Sequence, residues 1–337
     1  MRRKIFSIWS ILLVLVVSIG VLGSGCPGDG VRYDLTMAVN PLGSGTATDL
    51  TGGSPYAAGT AVNITATALG SYQFVKWTSS AGGTFADIYD ETTTFTMPAQ
   101  NVTVTAHFVE PLDHFLAYDL PQEQDYVGKE VSLKDQFVDI TVTVEWTLAF
   151  FNPAAKNLTE SWPEILHPDY HLTCYGFNYT PTQYWSVQVE NQFGQQWLEI
   201  WGPVALAVPT QKLVPGGHQM PVGLDHFLVY LVMPPQPTPD IPVVVKDQFC
   251  PPEGEPVMVW SAVQFFVPVQ KTVGSEVTPI TNPLAHLLFY GITGAQVSYP
   301  EVQVANQFLA QTLTLGEPAN KLGVPTLKLD FHESQGQ

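Results

Sequence analysis

The sequence predicts an all-β protein: a small β-rich N-terminal module, then four four-stranded repeats that combine into two paired β-sandwich or barrel modules. Three observations carry this. Apolar residues alternate with polar ones over short runs throughout, which is strand periodicity. The 27 glycines and 28 prolines of the 337-residue chain fall largely in clusters between those runs, as turn punctuation does. After residue 110 one pattern is written four times: His-x-x-x-Tyr, then Val-x-(Val/Leu)-x-(Asp/Asn)-Gln-Phe, then Pro-x-x-Lys.

The chain begins with Arg2, Arg3 and Lys4, runs almost purely apolar from Ile5 to Leu22, and reaches Gly23-Ser24-Gly25-Cys26. A basic start, an apolar stretch and small residues at the end make a secretory signal, expected over residues 1–25. The run into cysteine resembles a bacterial lipobox. That resemblance implies cleavage before Cys26, lipid modification of Cys26, and a membrane anchor on the extracytoplasmic face of the envelope. An uncleaved anchor is the alternative, because the apolar stretch is just long enough to span a bilayer.

Residues 31–110 alternate cleanly: Leu35, Met37 and Val39, then Val62, Ile64 and Ala66, then Val102, Val104, Ala106 and Phe108. Trp77 is expected in the core, since large aromatics dominate small cores. Asp87, Asp90 and Glu91 lack the spacing of a calcium loop and read as an acidic turn. Val39-Asn40-Pro41 with Gly43-Ser44-Gly45-Thr46, Phe74-Val75-Lys76-Trp77-Thr78, Phe95-Thr96-Met97-Pro98-Ala99 and Val102 to Phe108 resemble the divergent bacterial repeat related to the B repeats of internalin-type surface proteins. The resemblance implies a grasp-like spacer or adhesive unit.

The repeats fill residues 111–332. Their histidines are His114, His171, His226 and His286; their tyrosines are Tyr118, Tyr175, Tyr230 and Tyr290. Phe137, Phe193, Phe249 and Phe308 follow the histidines by 23, 22, 23 and 22 residues, and Lys156, Lys212, Lys271 and Lys328 close the copies. In the first copy the candidate strands are His114–Leu120, Val131–Phe137, Thr141–Trp146 and Leu148–Pro153. Each opening strand turns His and Tyr to one face and an apolar pair to the other, which reads as core.

Copies one and three share Leu-Asp-His-Phe-Leu and Lys-Asp-Gln-Phe, whereas two and four share Tyr-Gly and Asn-Gln-Phe. Pairs at 111–214 and 222–332 follow, each able to hide the sheet edges a lone copy would expose. Pro215-Gly216-Gly217 is the expected linker, and a four-bladed propeller is the alternative. Asp113-His114-Phe115 with Tyr118, His171-Leu172-Thr173-Cys174-Tyr175 and Asn191-Gln192-Phe193-Gly194 resemble an uncharacterised repeat family of secreted bacterial proteins. In that family two cysteines per repeat look like a disulfide pair. Here only Cys174 remains, and the partner positions hold Phe151, Ala207, Phe266 and Gly323, which implies that apolar packing replaces the bridge. A Cys174–Cys250 bridge stays open on sequence alone.

The net charge is −17, and three of the 13 basic residues lie in the first four positions. So acidic a chain repels phosphate backbones, and no nucleic-acid partner is expected. No phosphate loop, nucleophile elbow, metal-binding helix or Cys-x-x-Cys spacing occurs, so no catalytic residue, cofactor or metal is assigned. The repeated histidines read as structural. The Asp/Asn alternation at 135, 191, 247 and 306 keeps a side-chain oxygen but not a charge, which marks a turn former. The closing lysines read as salt-bridged or snorkelling side chains. The function expected is that of a non-enzymatic envelope lipoprotein, a spacer, adhesin or structural surface protein. The alternative is a glycan- or protein-binding module using loop aromatics, for which Tyr184, Trp185, Trp197 and Trp201 are the candidates. A hydrolase is the least favoured reading.

Overall fold

The computed structural model describes residues 30–121, 126–157, 162–293, 301–315 and 318–334. The expected signal at 1–25 and the lipidation site Cys26 lie outside the described residues, within which every regular element is a strand.

In the N-terminal module Leu35–Asn40 runs parallel to Val102–Val109, which pairs antiparallel with Gln73–Ser79. A second sheet takes Gly45–Asp49, Ala61–Ala68, Thr92–Thr96 and Thr84–Phe85 in that order. Val62, Ile64, Phe95, Val104 and Phe108 fill the space between them, with Trp77 buried at the centre. The indole N–H of Trp77 donates to the Asp90 carbonyl at 2.9 Å, so the ring is core and satisfied. Asp87 and Asp90 accept the backbone N–H two residues on, closing local turns.

In the repeats, the opening strand of copy one, His114–Asp119, pairs with the end of the closing strand Asp139–Asn157. That closing strand also pairs with the opening strand of copy two, His171–Phe177, which pairs in turn with Gly194–Val214. The walk continues through His226–Lys246, Glu255–Val273, His286–Ile292 and Lys321–Ser334. Lys321–Gly323 then bonds Ala117–Phe115 of copy one. Eight segments thus pair in a closed cycle, and no edge is left among them. Phe115, Phe151, Leu172, Phe227, Phe266 and Phe289 point inward and form one core. The opening-strand tyrosines and the remaining hairpins enclose a second, larger core on the outside.

The pairs expected from sequence are tied in a specific way. Asp113 of copy one accepts the N–H groups of Leu166 and His167, just before copy two. Asp225 of copy three does the same for Thr281 and Asn282 before copy four. Only copies one and three need this aspartate. The two pairs then join in one 13-stranded sheet instead of standing apart or forming propeller blades. Alternation has a further cause: like copies exchange strand pairing across the ring. Ser132–Lys134 of copy one bonds Gln270–Thr272 of copy three, and Ala155–Asn157 bonds Val244–Lys246. Copies two and four exchange Tyr184–Glu190 with Leu327–Ser334, and Gln211–Val214 with Gln303–Ala305.

Two boundaries differ from expectation. The third and fourth strands of copy one are continuous over Asp139–Asn157. The second strand stops at Lys134, and the Asp-Gln-Phe that follows belongs to the turn.

Candidate functional site

The repeated polar residues meet at four junctions, each built from three copies. In every copy the Asp or Asn accepts N–H bonds from its own turn: Asp135 from Phe137 and Val138, Asn191 from Phe193, Asp247 from Phe249 and Cys250, Asn306 from Phe308. That is the turn-forming role expected. The second polar atom reaches the copy opposite. Tyr118 donates to Asp247 at 2.7 Å and Tyr230 to Asp135 at 2.8 Å. In the other two copies the amide is the donor: Asn191 to Tyr290 at 2.9 Å and Asn306 to Tyr175 at 2.8 Å. Asp and Asn therefore suit tyrosines of opposite hydrogen-bonding sense.

The turn glutamine docks on the histidine of the preceding copy. Gln192 reaches His114 at 2.6 Å, Gln307 reaches His226 at 2.6 Å, and Gln136 reaches His286 at 3.3 Å around the ring closure. In His171 and His286 the Nδ1 atom lies 3.0 Å from the carbonyl two residues back, which makes Nε2 the acceptor. Burial and the neighbouring lysine push all four rings toward neutrality, to about 3 for His114, His226 and His286 and about 2 for His171. His114, His226 and His286 are thus structural hydrogen-bond acceptors.

The closing lysines correct the sequence reading. Lys156, Lys212 and Lys271 are buried, and none of the four forms an ion pair among the described residues. Each of these three stands over the turn phenylalanine of the next copy: Lys156 over Phe193 at 5.2 Å, Lys212 over Phe249 at 6.0 Å, Lys271 over Phe308 at 5.8 Å. The aromatic face supplies a cation–π contact in place of a counter-ion. Lys328 instead covers Phe331 at 4.2 Å. Burial lowers all four amines to about 8.

One junction departs from the pattern. Gln248 turns away from His171 and donates to Asn152 at 3.2 Å, leaving Nε2 of His171 buried without a partner. Asn152 stands where the other copies carry Val208, Val267 and Val324.

The four candidate aromatics stand on strands, not loops. Tyr184 and Trp185 belong to Tyr184–Asn191, and Trp197 and Trp201 to Gly194–Val214. Trp185 is buried against Phe137 and Tyr230, so it is core. The others share the outer face of three paired strands, Lys321–Ser334, Tyr184–Asn191 and Gly194–Val214. Tyr184 pairs with Trp201, their rings 6.5 Å apart, and Trp197, 44% exposed, lies 5.4 Å from His332. Glu199, Ser186 and His332 cross the same face in register.

Cys174 and Cys250 are both free, which closes the bridge between them. Cys174 faces Ala207 directly across the strand pair, and the same register places Ala117 opposite Phe151, Val229 opposite Phe266 and Phe289 opposite Gly323. Apolar pairs thus occupy the positions at which the resembling family would place its cysteines. Two cavities open among the described residues: an apolar groove of about 360 Å³ beside Pro242, Val257 and Thr293, and a cleft of about 230 Å³ where Phe74 and Glu110 approach His286. Neither is lined by a nucleophile bonded to a base.

Residues 35–111 match the family model described as a divergent InlB B-repeat domain, and residues 171–324 match a repeat of unknown function, DUF7450. No curated protein and no solved structure matches the chain. A B-repeat-like surface domain beside repeats of unknown function fits a structural surface protein.

Proposed function

We propose that the chain is a non-enzymatic, lipid-anchored envelope protein of a bacterium, in which the N-terminal module serves as a spacer or adhesive segment and the repeat ring as a rigid body held outside the membrane. One observation carries this reading. The residues repeated four times, which would be the first candidates for chemistry, are occupied in joining one copy to the next. Each histidine is pushed toward neutrality, each Asp or Asn closes a turn, and each lysine rests on a ring. The anchor rests on the signal-like start and Cys26. Mass spectrometry of the protein from membranes tests it: a lipidated peptide beginning at Cys26 is expected, and a peptide retaining Met1 would overturn it.

A second reading has its own observation. Tyr184, Trp197, Trp201 and His332 form a flat, partly exposed aromatic row with Glu199 and Ser186 between them. Such a row suits the apolar faces of sugar rings, with the polar side chains meeting hydroxyls. A glycan-array and pull-down screen with residues 27–337 separates the two readings. A saturable ligand lost on Trp201→Ala establishes the binding module; absence of any saturable ligand leaves the structural role.

A further inference from the structure

The departing junction holds an arrangement that the other three lack. Lys212 Nζ lies 3.3 Å from Oδ1 of Asn152, within a site where both residues and Asp247 are almost fully buried. Nδ2 of Asn152 donates to Oδ2 of Asp247 at 2.8 Å. Gln248 Nε2 donates to Oδ1 at 3.2 Å. An amine thus faces an amide whose carbonyl oxygen has a second donor and whose nitrogen touches a carboxylate.

We propose that Lys212 and Asn152 join in a self-formed amide cross-link, with Asp247 as the catalytic proton carrier. The neutral Lys212 amine attacks Cγ of Asn152, forming a C–N bond while the carbonyl electrons move to Oδ1. Gln248 and the attacking amine's own N–H group stabilise that oxyanion. Asp247 takes the proton shed by the new C–N nitrogen and delivers it to Nδ2. The C–Nδ2 bond breaks, ammonia leaves, and the carbonyl reforms. No oxidant, metal or cofactor enters the balance.

Three features favour the reaction here. The site is buried and preorganised, so the reacting groups are in place without a search. Burial lowers Lys212 to about 8, which supplies neutral amine near neutral pH. Asn152 also explains the empty place at His171: the glutamine that would have satisfied that ring is aimed at the amide instead. The remaining lysines serve as internal controls, because valine fills the corresponding position in the other three copies.

The test is the mass of the folded full chain held above pH 8, with peptide mapping. A chain lighter by one ammonia is expected, with a branched peptide carrying both Asn152 and Lys212. Asn152→Val and Lys212→Arg should each restore the full mass, and Lys271→Arg should leave the loss unchanged. Asp247→Asn should fold, by circular dichroism, yet keep separate peptides. Full mass and separate peptides in the unaltered folded chain overturn the proposal whatever the variants do. A branch through any other lysine overturns it too, and cross-linking that survives Asp247→Asn removes Asp247 from the chemistry.

Discussion

Gly323 is the sharpest test of how the inner core is packed. Its backbone is ordinary strand, outside the left-handed region in which glycines of this chain occur. It is glycine because the Phe289 ring lies against it: a Cβ at 323 would sit 2.5 Å from the ring's Cζ. Phe289 is fully buried and cannot swing outward, with Phe266 4.3 Å and Phe151 5.1 Å away between ring centres. Gly323→Ala therefore forces overpacking, about 1–3 kcal/mol, offset by roughly 0.5 kcal/mol from the lower entropy of the unfolded chain. The net of about 0.5–2.5 kcal/mol corresponds to about 1–10 °C in Tm for a body of this size. Phe289→Ala alone should cost ~3–5 kcal/mol by opening a cavity. With the ring gone, Gly323→Ala should cost nothing or stabilise slightly. Urea unfolding of the four proteins, with m compared to confirm a common transition, reads the coupling. Equal costs for Gly323→Ala in both backgrounds, within ~0.5 kcal/mol, would refute the packing argument.

Stability should rise with pH between about 3 and 6.5, because the four repeat histidines are lowered in the folded state and the unfolded chain binds more protons there. Asp135, raised to about 6 by burial, and Asp113, raised by burial as well, oppose this. The lysines, lowered to about 8, add a second rise above that pH; a flat or falling Tm from pH 4 to 6.5 would contradict the burial of the rings. Gln192→Ala should destabilise by ~1–3 kcal/mol by leaving His114 Nε2 unsatisfied. Nitrogen-15 spectra of the imidazoles should set His171 apart, since it already lacks that donor. Trp185→Ala should cost ~3–5 kcal/mol and Trp197→Ala under ~1 kcal/mol by the same unfolding assay; a reversal would mean that the two faces of that hairpin have been exchanged.

Strand periodicity made the fold class readable, because a period of two with β-branched residues has no other economical explanation. The two faces of each opening strand were equally plain: Phe115 and Ala117 against His114 and Tyr118. What one copy cannot reveal is which neighbour its polar groups meet. Gln192 belongs to copy two but satisfies His114 of copy one, and Asp135 of copy one satisfies Tyr230 of copy three. Those partners lie 78 and 95 residues apart and depend on closure of the ring. Comparing copies did carry the Asp/Asn position correctly, since an oxygen retained while charge is lost points to geometry. It failed for the lysines, three of which take their aromatic partner from the next copy. Trp185 could not be told from Tyr184 as core, because adjacent strand residues change face and only the packing says which face is covered.

Asn152 is where the chain gives up a symmetric feature. With Val in its place, Gln248 would be free to reach His171, as Gln192 reaches His114, and the buried amide would vanish. If Asn152 and Lys212 are not joined, Asn152→Val should be near neutral or stabilising, since it imposes the packing that three copies already use. If they are joined, the substitution releases a loop closed between residues 60 apart. Loop-closure entropy at that length amounts to about 4 kcal/mol of lost stability. The two cases differ in sign as well as size, so urea unfolding of Asn152→Val against the unaltered chain discriminates them independently of mass. Lys212→Arg should then match Asn152→Val in the cross-linked case, because either change opens the same loop.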